Sequence, residues 1–437
     1  MEWQLVLLLI FGSLVVLMLT GMPVAFCFML ISVVGMYVFF GGAAGLEQLI
    51  ISICTSLATF VLLPVPLFIF MGELMFHSGM APLLIESVDK WLGRLPGRLG
   101  LLAVSAGTLF STLTGTSIAS TAMLGTVLVP EMERQGYKKP MSLGPILGSG
   151  GLAMMIPPSA LAVLCGAIAE ISIGRILIAI IVPGLLMAIL YAAYIIIRCW
   201  LQPSIAPAYE VSPLPLSEKL TAAVRHILPL GLIVFLVIGV IFLGIATPSE
   251  AAATGVIGTL ILSFFYGRLS WEVIKKTASS TLAVAGMVLL IIAGARAFSQ
   301  ILAYSGVSKG LGELATGLPV APIFIIIAMQ VVILFLGGFM DVVAIMMITL
   351  PIFVPVVISL GFNTVWFAVV LLLNIEMAGT SPPFGLGLLV MKGVAPPDTT
   401  MEDIYRAALP FLGCDLIAMV LIIAFPELTL WLPGLMR

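Results

Sequence analysis

The chain has 437 residues, 62% of them hydrophobic and 9% charged, against about 25% charged in a soluble domain. That composition excludes a soluble globular protein and leaves a polytopic membrane protein with almost no soluble part. The net charge of −2 offers no electrostatic footprint for nucleic acid, and Cys27, Cys54, Cys165, Cys199 and Cys414 lie too far apart for a metal or redox motif.

The N-terminus opens on MEWQLVLLLIFGSLVVLMLTG. It lacks a basic n-region and a small-residue cleavage site, so it reads as a retained span over 4–20 rather than a cleaved signal. Spans over 23–40 and 55–78 follow, then an interfacial stretch over 80–97. Segment 99–133 lies between two basic loops, one with Lys90, Arg94 and Arg98, the other with Arg134, Lys138 and Lys139. Lysine and arginine collect on the cytoplasmic side. The segment therefore reads as a re-entrant hairpin that enters and leaves from the cytoplasm, its tip at TGTSIAS (114–120). A broken span over 141–169 and a span over 174–198 complete a first half, residues 1–201. A polar stretch, 202–227, is too short for a domain and reads as a cytoplasmic linker.

The second half, 228–437, gives spans over 228–245, 250–266 and 277–304 and a further interfacial stretch. A second hairpin over 319–358 enters from the outside, with its tip near GGFMD. A broken span over 364–392 and a last span over 405–432 follow. The expected fold is all-α, with about ten crossings, two hairpins and both termini outside. Fourteen of the 18 Lys and Arg residues then face the cytoplasm.

The two halves repeat. IPPS around Pro157 matches SPPF around Pro382, and HSG ending at Gly79 matches YSG ending at Gly306. Six such pairs occur in order at offsets of 221 to 227 residues, which indicates a duplication. Basic loops of the first half have counterparts without basic residues in the second, so the repeat is inverted.

Proline removes an amide donor and frees carbonyls in the preceding turn. Irregular backbone at membrane depth survives only inside protein or beside a polar cavity. The breaks at Pro157-Pro158 and Pro382-Pro383 therefore offer carbonyls to a hard cation, and half-helix N-termini to an anion. Carbonyls, hydroxyls and one carboxylate suit Na⁺ rather than a transition metal. One expected Na⁺ site uses Gly115, Thr116, Ser117 and Ser120 with backbone from Met155 to Pro157 and Pro158. The other uses Gly337, Gly338 and Asp341 with backbone at Gly379, Thr380 and Pro383. Asp341 is an acid at depth, costly by about 2.5–3.5 kcal/mol at a helix centre. A substrate carboxylate is expected between the two, near Ser149, Gly150, Gly151, Ser159, Thr380 and Ser381. Arg296, a cation within a span, serves a substrate or partner contact or snorkels; it is carried with the substrate set. Glu73 and Glu376 read as helix ends or ion-pair members, and His77 and His226 as interfacial.

GSGGLA (148–153) fits a loose dinucleotide pattern but follows no strand. The chain has no H-E-x-x-H or P-loop motif, so an ion gradient or another chain must supply the energy. No organic cofactor is expected, and neither a membrane-embedded enzyme nor a channel fits as well as a carrier.

GTSIASTAMLG, IPPSALAVLCG, SIGRILIAIIVPGLL, TPSEAAATG, GGFMDVVAIMMITLPIFVPVV and TSPPFGLGLLVMKG together resemble the large membrane subunit of the tripartite ATP-independent periplasmic (TRAP) transporters, over nearly the whole chain. The resemblance implies a multi-pass permease of a bacterial or archaeal inner membrane and an elevator mechanism. It implies Na⁺-coupled import of an organic acid delivered by a periplasmic binding protein, with a small four-helix membrane subunit as partner. The chain starts at its first span, so that subunit is expected to be separate. One departure is the first tip: many members carry a carboxylate or amide near Ser120, where this chain has hydroxyls alone. The alternative is an organic-anion carrier coupled to Na⁺ or H⁺ that acts without a binding protein.

Overall fold

The computed structural model describes residues 3–93, 95–114, 117–207, 215–338, 340–383 and 385–436, the side chains of 81 and 111–114 excepted. Regular structure there is helical. The first half comprises α1 (Trp3–Leu19), α2 (Val24–Phe39), α3 (Ala43–Leu57), α4 (Pro64–His77), α5 (Ala81–Leu92), α6 (Arg98–Thr114), α7 (Ser117–Arg134), α8 (Lys139–Met155), α9 (Ala160–Ala169), α10 (Ile173–Ala179) and α11 (Ile181–Leu201). The second comprises α12 (Leu216–Ala222), α13 (Leu228–Phe242), α14 (Pro248–Phe265), α15 (Trp271–Tyr304), α16 (Val307–Gly317), α17 (Pro322–Gly337), α18 (Val342–Ser359), α19 (Thr364–Thr380), α20 (Leu386–Val394), α21 (Met401–Ala424) and α22 (Glu427–Gly434).

Local chemistry sets many of these ends. Thr247 and Glu250 form a capping box at the start of α14, with Pro248 in its first turn; Thr400 and Asp403 do the same for α21. Ser270 caps α15 and Asn363 caps α19, each accepting from backbone N–H groups of the first turn. The expected hairpins are the helix pairs α6–α7 and α17–α18. The expected broken spans are α8–α9, bent by 45°, and α19–α20.

Four boundaries differ from expectation. Helix α3 is an addition, filling the stretch between the second and third spans. The third span starts not at 55 but with a 3₁₀ turn at Phe60–Leu62, and α4 begins at Pro64. Residues 216–227, read as linker, are helical and run through a π-turn at Ala223–Ile227 into α13. The last span stops at Ala424, where Phe425-Pro426 turns the chain into α22.

Seven helices among the described residues are long and apolar enough to cross a membrane, eight if α8 and α9 count as one. Helices α1, α2, α3, α17 and α19 are apolar but shorter, at 15–17 residues; 17 residues rise about 25 Å. Leu228, Leu232, Phe235 and Leu236 on α13 and Ile257, Ile261 and Phe264 on α14 are exposed, as a lipid-facing surface requires.

Helices α8 and α19 form the centre. Every residue from Met141 to Met155 is buried, as is every residue from Val365 to Ala378. Around them the return arm of each hairpin packs on the far arm of the other half's broken helix, α7 on α20 and α18 on α9. Helices α2, α3, α4, α13, α14 and α15 form a second group that packs largely on itself. At one end of the centre Lys139 Nζ donates to Asp398 Oδ2 (2.7 Å) and Thr399 Oγ1 (2.6 Å), and Lys392 Nζ donates to the Thr399 carbonyl. These bonds tie the start of α8 to the loop after α20.

Candidate substrate and ion site

The first break runs from Ile156 to Ser159. The Ile156 N–H still donates to Leu152 O, closing α8, and Ser159 accepts from Ala162 N–H (3.3 Å) as the N-cap of α9. Ser149 and Ser159 are fully buried. The Ser149 hydroxyl turns back to the Ile146 carbonyl (3.3 Å). The second break runs from Ser381 to Gly385. The Thr380 hydroxyl donates within its own helix, to the carbonyls of Glu376 (3.4 Å) and Met377 (3.3 Å). The peptide between the two prolines is cis in both breaks.

Glycine lets neighbouring backbones close on these breaks. A Cβ on Gly150 would overlap the Thr121 hydroxyl of α7, and one on Gly107 of α6 would lie 2.6 Å from Ser149 Cβ. A Cβ on Gly337 would overlap Ala378 Cβ, and one on Gly338 would lie 3.5 Å from Pro383 Cδ. The structure thus brings α6–α7 against α8 and α17 against α19. Gly184 of α11 closes on the Met155 carbonyl in the same way, so that carbonyl lies against α11.

Of the first expected ion set, Gly115 and Thr116 lie outside the described residues. Ser120 is buried and Ser117 half-buried, and they begin α7. In the second set, Asp341 is exposed and caps α18, its Oδ1 accepting from Val343 N–H (2.8 Å) and Ala344 N–H (3.3 Å). The Pro383 carbonyl, one of those expected to be free for a cation, accepts from the Tyr405 hydroxyl (2.7 Å). Arg296 stands apart from both breaks. It pairs with Glu170, the residue closing α9, and its Nη2 donates to Ala167 O (3.4 Å).

Two buried acids stand outside the site read from the sequence. Glu376, read there as a helix end or ion-pair member, is buried in α19, with its carboxylate against Gly151 of α8 and its Oε2 without a hydrogen-bond partner. Asp415 of α21 is equally buried and accepts a hydrogen bond from Tyr191 of α11. The sequence carried a signal for both, an acid inside an apolar helix. Beside the first break, Ile156 and Pro157 also line a cavity of about 430 Å³ with Leu109, Leu230, Val234 and Ile238. Its apolar walls offer nothing to a carboxylate.

The family model described as "Tripartite ATP-independent periplasmic transporter, DctM component" matches residues 11–428. The chain belongs to this family. As a TRAP large permease it is 30% identical to the C4-dicarboxylate TRAP transporter large permease protein DctM of Rhodobacter capsulatus, over 98% of this chain and 99% of that one. It is 29% identical to the ectoine TRAP transporter large permease protein TeaC of Halomonas elongata, over 97% and 98%. It is 27% identical to the sialic acid TRAP transporter permease protein SiaT of Haemophilus influenzae, over 87% of this chain and 61% of that one. The fold of the TRAP permease is similar to that of the YdaH transporter of Alcanivorax borkumensis, with a TM-score of 0.61, 18% identity, and coverage of 89% and 90%. These relatives are transport proteins, and membership makes the chain a multi-pass membrane permease rather than an enzyme.

Proposed function

We propose that this TRAP permease imports an organic acid with Na⁺ across a bacterial or archaeal inner membrane, as the large subunit of a three-part system. A periplasmic binding protein delivers the acid, and a small four-helix membrane subunit completes the assembly. The observation that carries the reading is the packing of Gly337–Gly338 and of Thr121 onto the two broken helices, which themselves meet at Gly151 and Glu376. Two interrupted helices at the centre of a membrane protein, each closed by its own hairpin, supply paired half-helix termini for an anion and loose carbonyls for cations.

In this reading the halves are an inverted repeat with ten crossings. Each half builds one Na⁺ site from its tip and its break, the first around Ser117, Ser120 and Met155 to Pro157, the second around Gly337, Gly338, Gly379 and Thr380. Asp341 lends negative charge to the second tip while it caps α18. The carboxylate of the substrate lies between them, at Ser149 to Gly151, Ser159 and Ser381. The breaks, the hairpins, α11 and α21 move together as an elevator against α2, α3, α4 and α13 to α15.

With two Na⁺ per monoanion, one net charge enters per cycle and gains ~2.3 kcal/mol per 100 mV of inside-negative potential. A tenfold Na⁺ gradient adds roughly 2.8 kcal/mol, since each factor of ten is about 1.4 kcal/mol. The sum, about 5 kcal/mol, supports several-thousand-fold accumulation without ATP. The names of the relatives support a small organic solute as cargo. The test is uptake into proteoliposomes containing both membrane subunits. Saturable uptake that requires Na⁺ and the binding protein is expected; uptake independent of both counts against the reading.

A further inference from the structure

The Arg296–Glu170 pair joins the two groups of helices, α15 on one side and the end of α9 on the other. Glu170 closes α9 with φ 58° and ψ 34°, the left-handed conformation that favours glycine. It is the one non-glycine residue with positive φ among those described. Its side chain is 67% exposed and that of Arg296 32%, so the glutamate approaches the guanidinium from the solvent-facing side. Arg296 Nη2 donates to Ala167 O, whereas its Nε is buried without a partner, and so is Gln300 Oε1 one helical turn further along.

Both residues also line a cavity. Between α3 and α15 a space of about 340 Å³ is lined by Gln48, Ser52, Thr55, Ser299 and Gln300 together with Arg296 and Glu170. A second space, about 1100 Å³, lies on the far side of the same ion pair, beside Ser172, Thr247 and Ser249. Among the described residues Arg296 is the only basic side chain lining either space, and Glu250 in the larger one is engaged by its own cap, accepting from Thr247 N–H and Oγ1 (both 2.8 Å). A chamber with polar side chains and a single cation inside an otherwise apolar protein matches one carboxylate of a small acid.

We propose that Arg296 is a second anion site, remote from the breaks: Glu170 is its resting occupant, and a carboxylate or sulfonate entering the α3–α15 chamber displaces Glu170 and pairs with the guanidinium. The planar guanidinium binds a carboxylate through two parallel hydrogen bonds, and Gln300, Ser299 and Ser52 offer amide and hydroxyl groups for the remainder of the acid. Displacement also removes one of two ties between the end of α9 and α15, the Arg296 bond to Ala167 O remaining. This rests on the reading of the chain as an organic-acid carrier, and it places a waiting position for the acid on the way to the breaks.

The test is binding of succinate to the purified full chain in Na⁺-free choline buffer, with succinamide as the neutral control. Glu170→Gln removes the resident carboxylate from an exposed position and is expected to bind succinate about tenfold more tightly than the unmodified chain. The double variant Glu170→Gln/Arg296→Lys keeps a cation but loses the fork and is expected to surrender most of that gain. Equal affinity in Glu170→Gln and the unmodified chain, or an undiminished gain in the double variant, overturns the proposal. Uptake is not the readout and no Na⁺ is present, so a failure of Na⁺-coupled import leaves this result standing, and the reverse holds.

Discussion

The Glu376 carboxylate lies directly on the Cα of Gly151, so that the two central helices, one from each half of the chain, touch at an acid and a residue with no side chain. Any Cβ at 151 would overlap that carboxylate. The contact lies four residues before Met155, where α8 ends, and four before Thr380, where α19 ends. The spacing between α8 and α19 thus fixes the distance between the two breaks.

Gly151→Ala is therefore expected to force α8 and α19 apart. Overpacking a closed core costs about 1–3 kcal/mol, so a lower melting temperature in detergent and loss of uptake should appear together. Shortening the acid in Gly151→Ala/Glu376→Asp should recover part of the stability. The coupling measured in the four-variant cycle checks the contact, and additive effects would disprove it.

The two glycines of the second tip should behave differently. Gly337→Ala drives a methyl into Ala378, whereas Gly338→Ala meets its nearest neighbours at an ordinary 3.5 Å. Uptake assays should find the first impaired at least tenfold and the second close to the unmodified chain, at equal protein level. Equal behaviour would mean that the tip does not close on the break during transport.

How much of this was visible in the sequence depended on the chemistry of each residue. Pro157-Pro158 and Pro382-Pro383 announced the breaks because proline acts on its own backbone, whatever surrounds it. The ends of the helix pair α6–α7 were legible from charge, Arg98 beginning α6 and Arg134 ending α7. Glu376 and Gly151 are 225 positions apart, and only the packing of α8 on α19 makes them neighbours. The same holds for Tyr405 and Pro383, and for Arg296 and Glu170, where the sequence offers a lone cation but not its partner. Helix α3 went unread because Glu47, Gln48, Ser52 and Thr55 interrupt its apolar residues, and its polar side faces a chamber rather than lipid.

Asp341 carries two separable roles. Asparagine caps helices about as well as aspartate, whereas alanine costs about 1 kcal/mol. Asp341→Asn should therefore melt like the unmodified chain and Asp341→Ala about a degree lower. If the carboxylate also draws Na⁺ to the second tip, both variants should need severalfold more Na⁺ for half-maximal uptake. An unchanged Na⁺ titration in Asp341→Asn would leave the residue as a cap alone.

The inverted thread assigns sides to single residues. Introduced cysteines at 139 and 219 should resist an impermeant thiol reagent applied from the periplasm, and one at 309 should react. Lys139 is hydrogen-bonded to Asp398, so a cysteine at 398 should follow 139. Labelling at 139 and protection at 309 would reverse the orientation.

Because α7 packs on α20 and α9 on α18, a nascent chain cannot complete its centre in order of synthesis. Ala169 ends α9, and Val342, which begins α18, follows it by 173 residues; at roughly 5–20 residues per second the first half waits about nine to thirty-five seconds for its counterpart. During that interval the buried hydroxyls of Ser149 and Ser159 and the far arm of the first break have only lipid, water or an insertion factor for company. A ribosome stalled near residue 230 would hold a half-protein with an unfilled interior, and membrane quality-control proteases should degrade it faster than the finished chain.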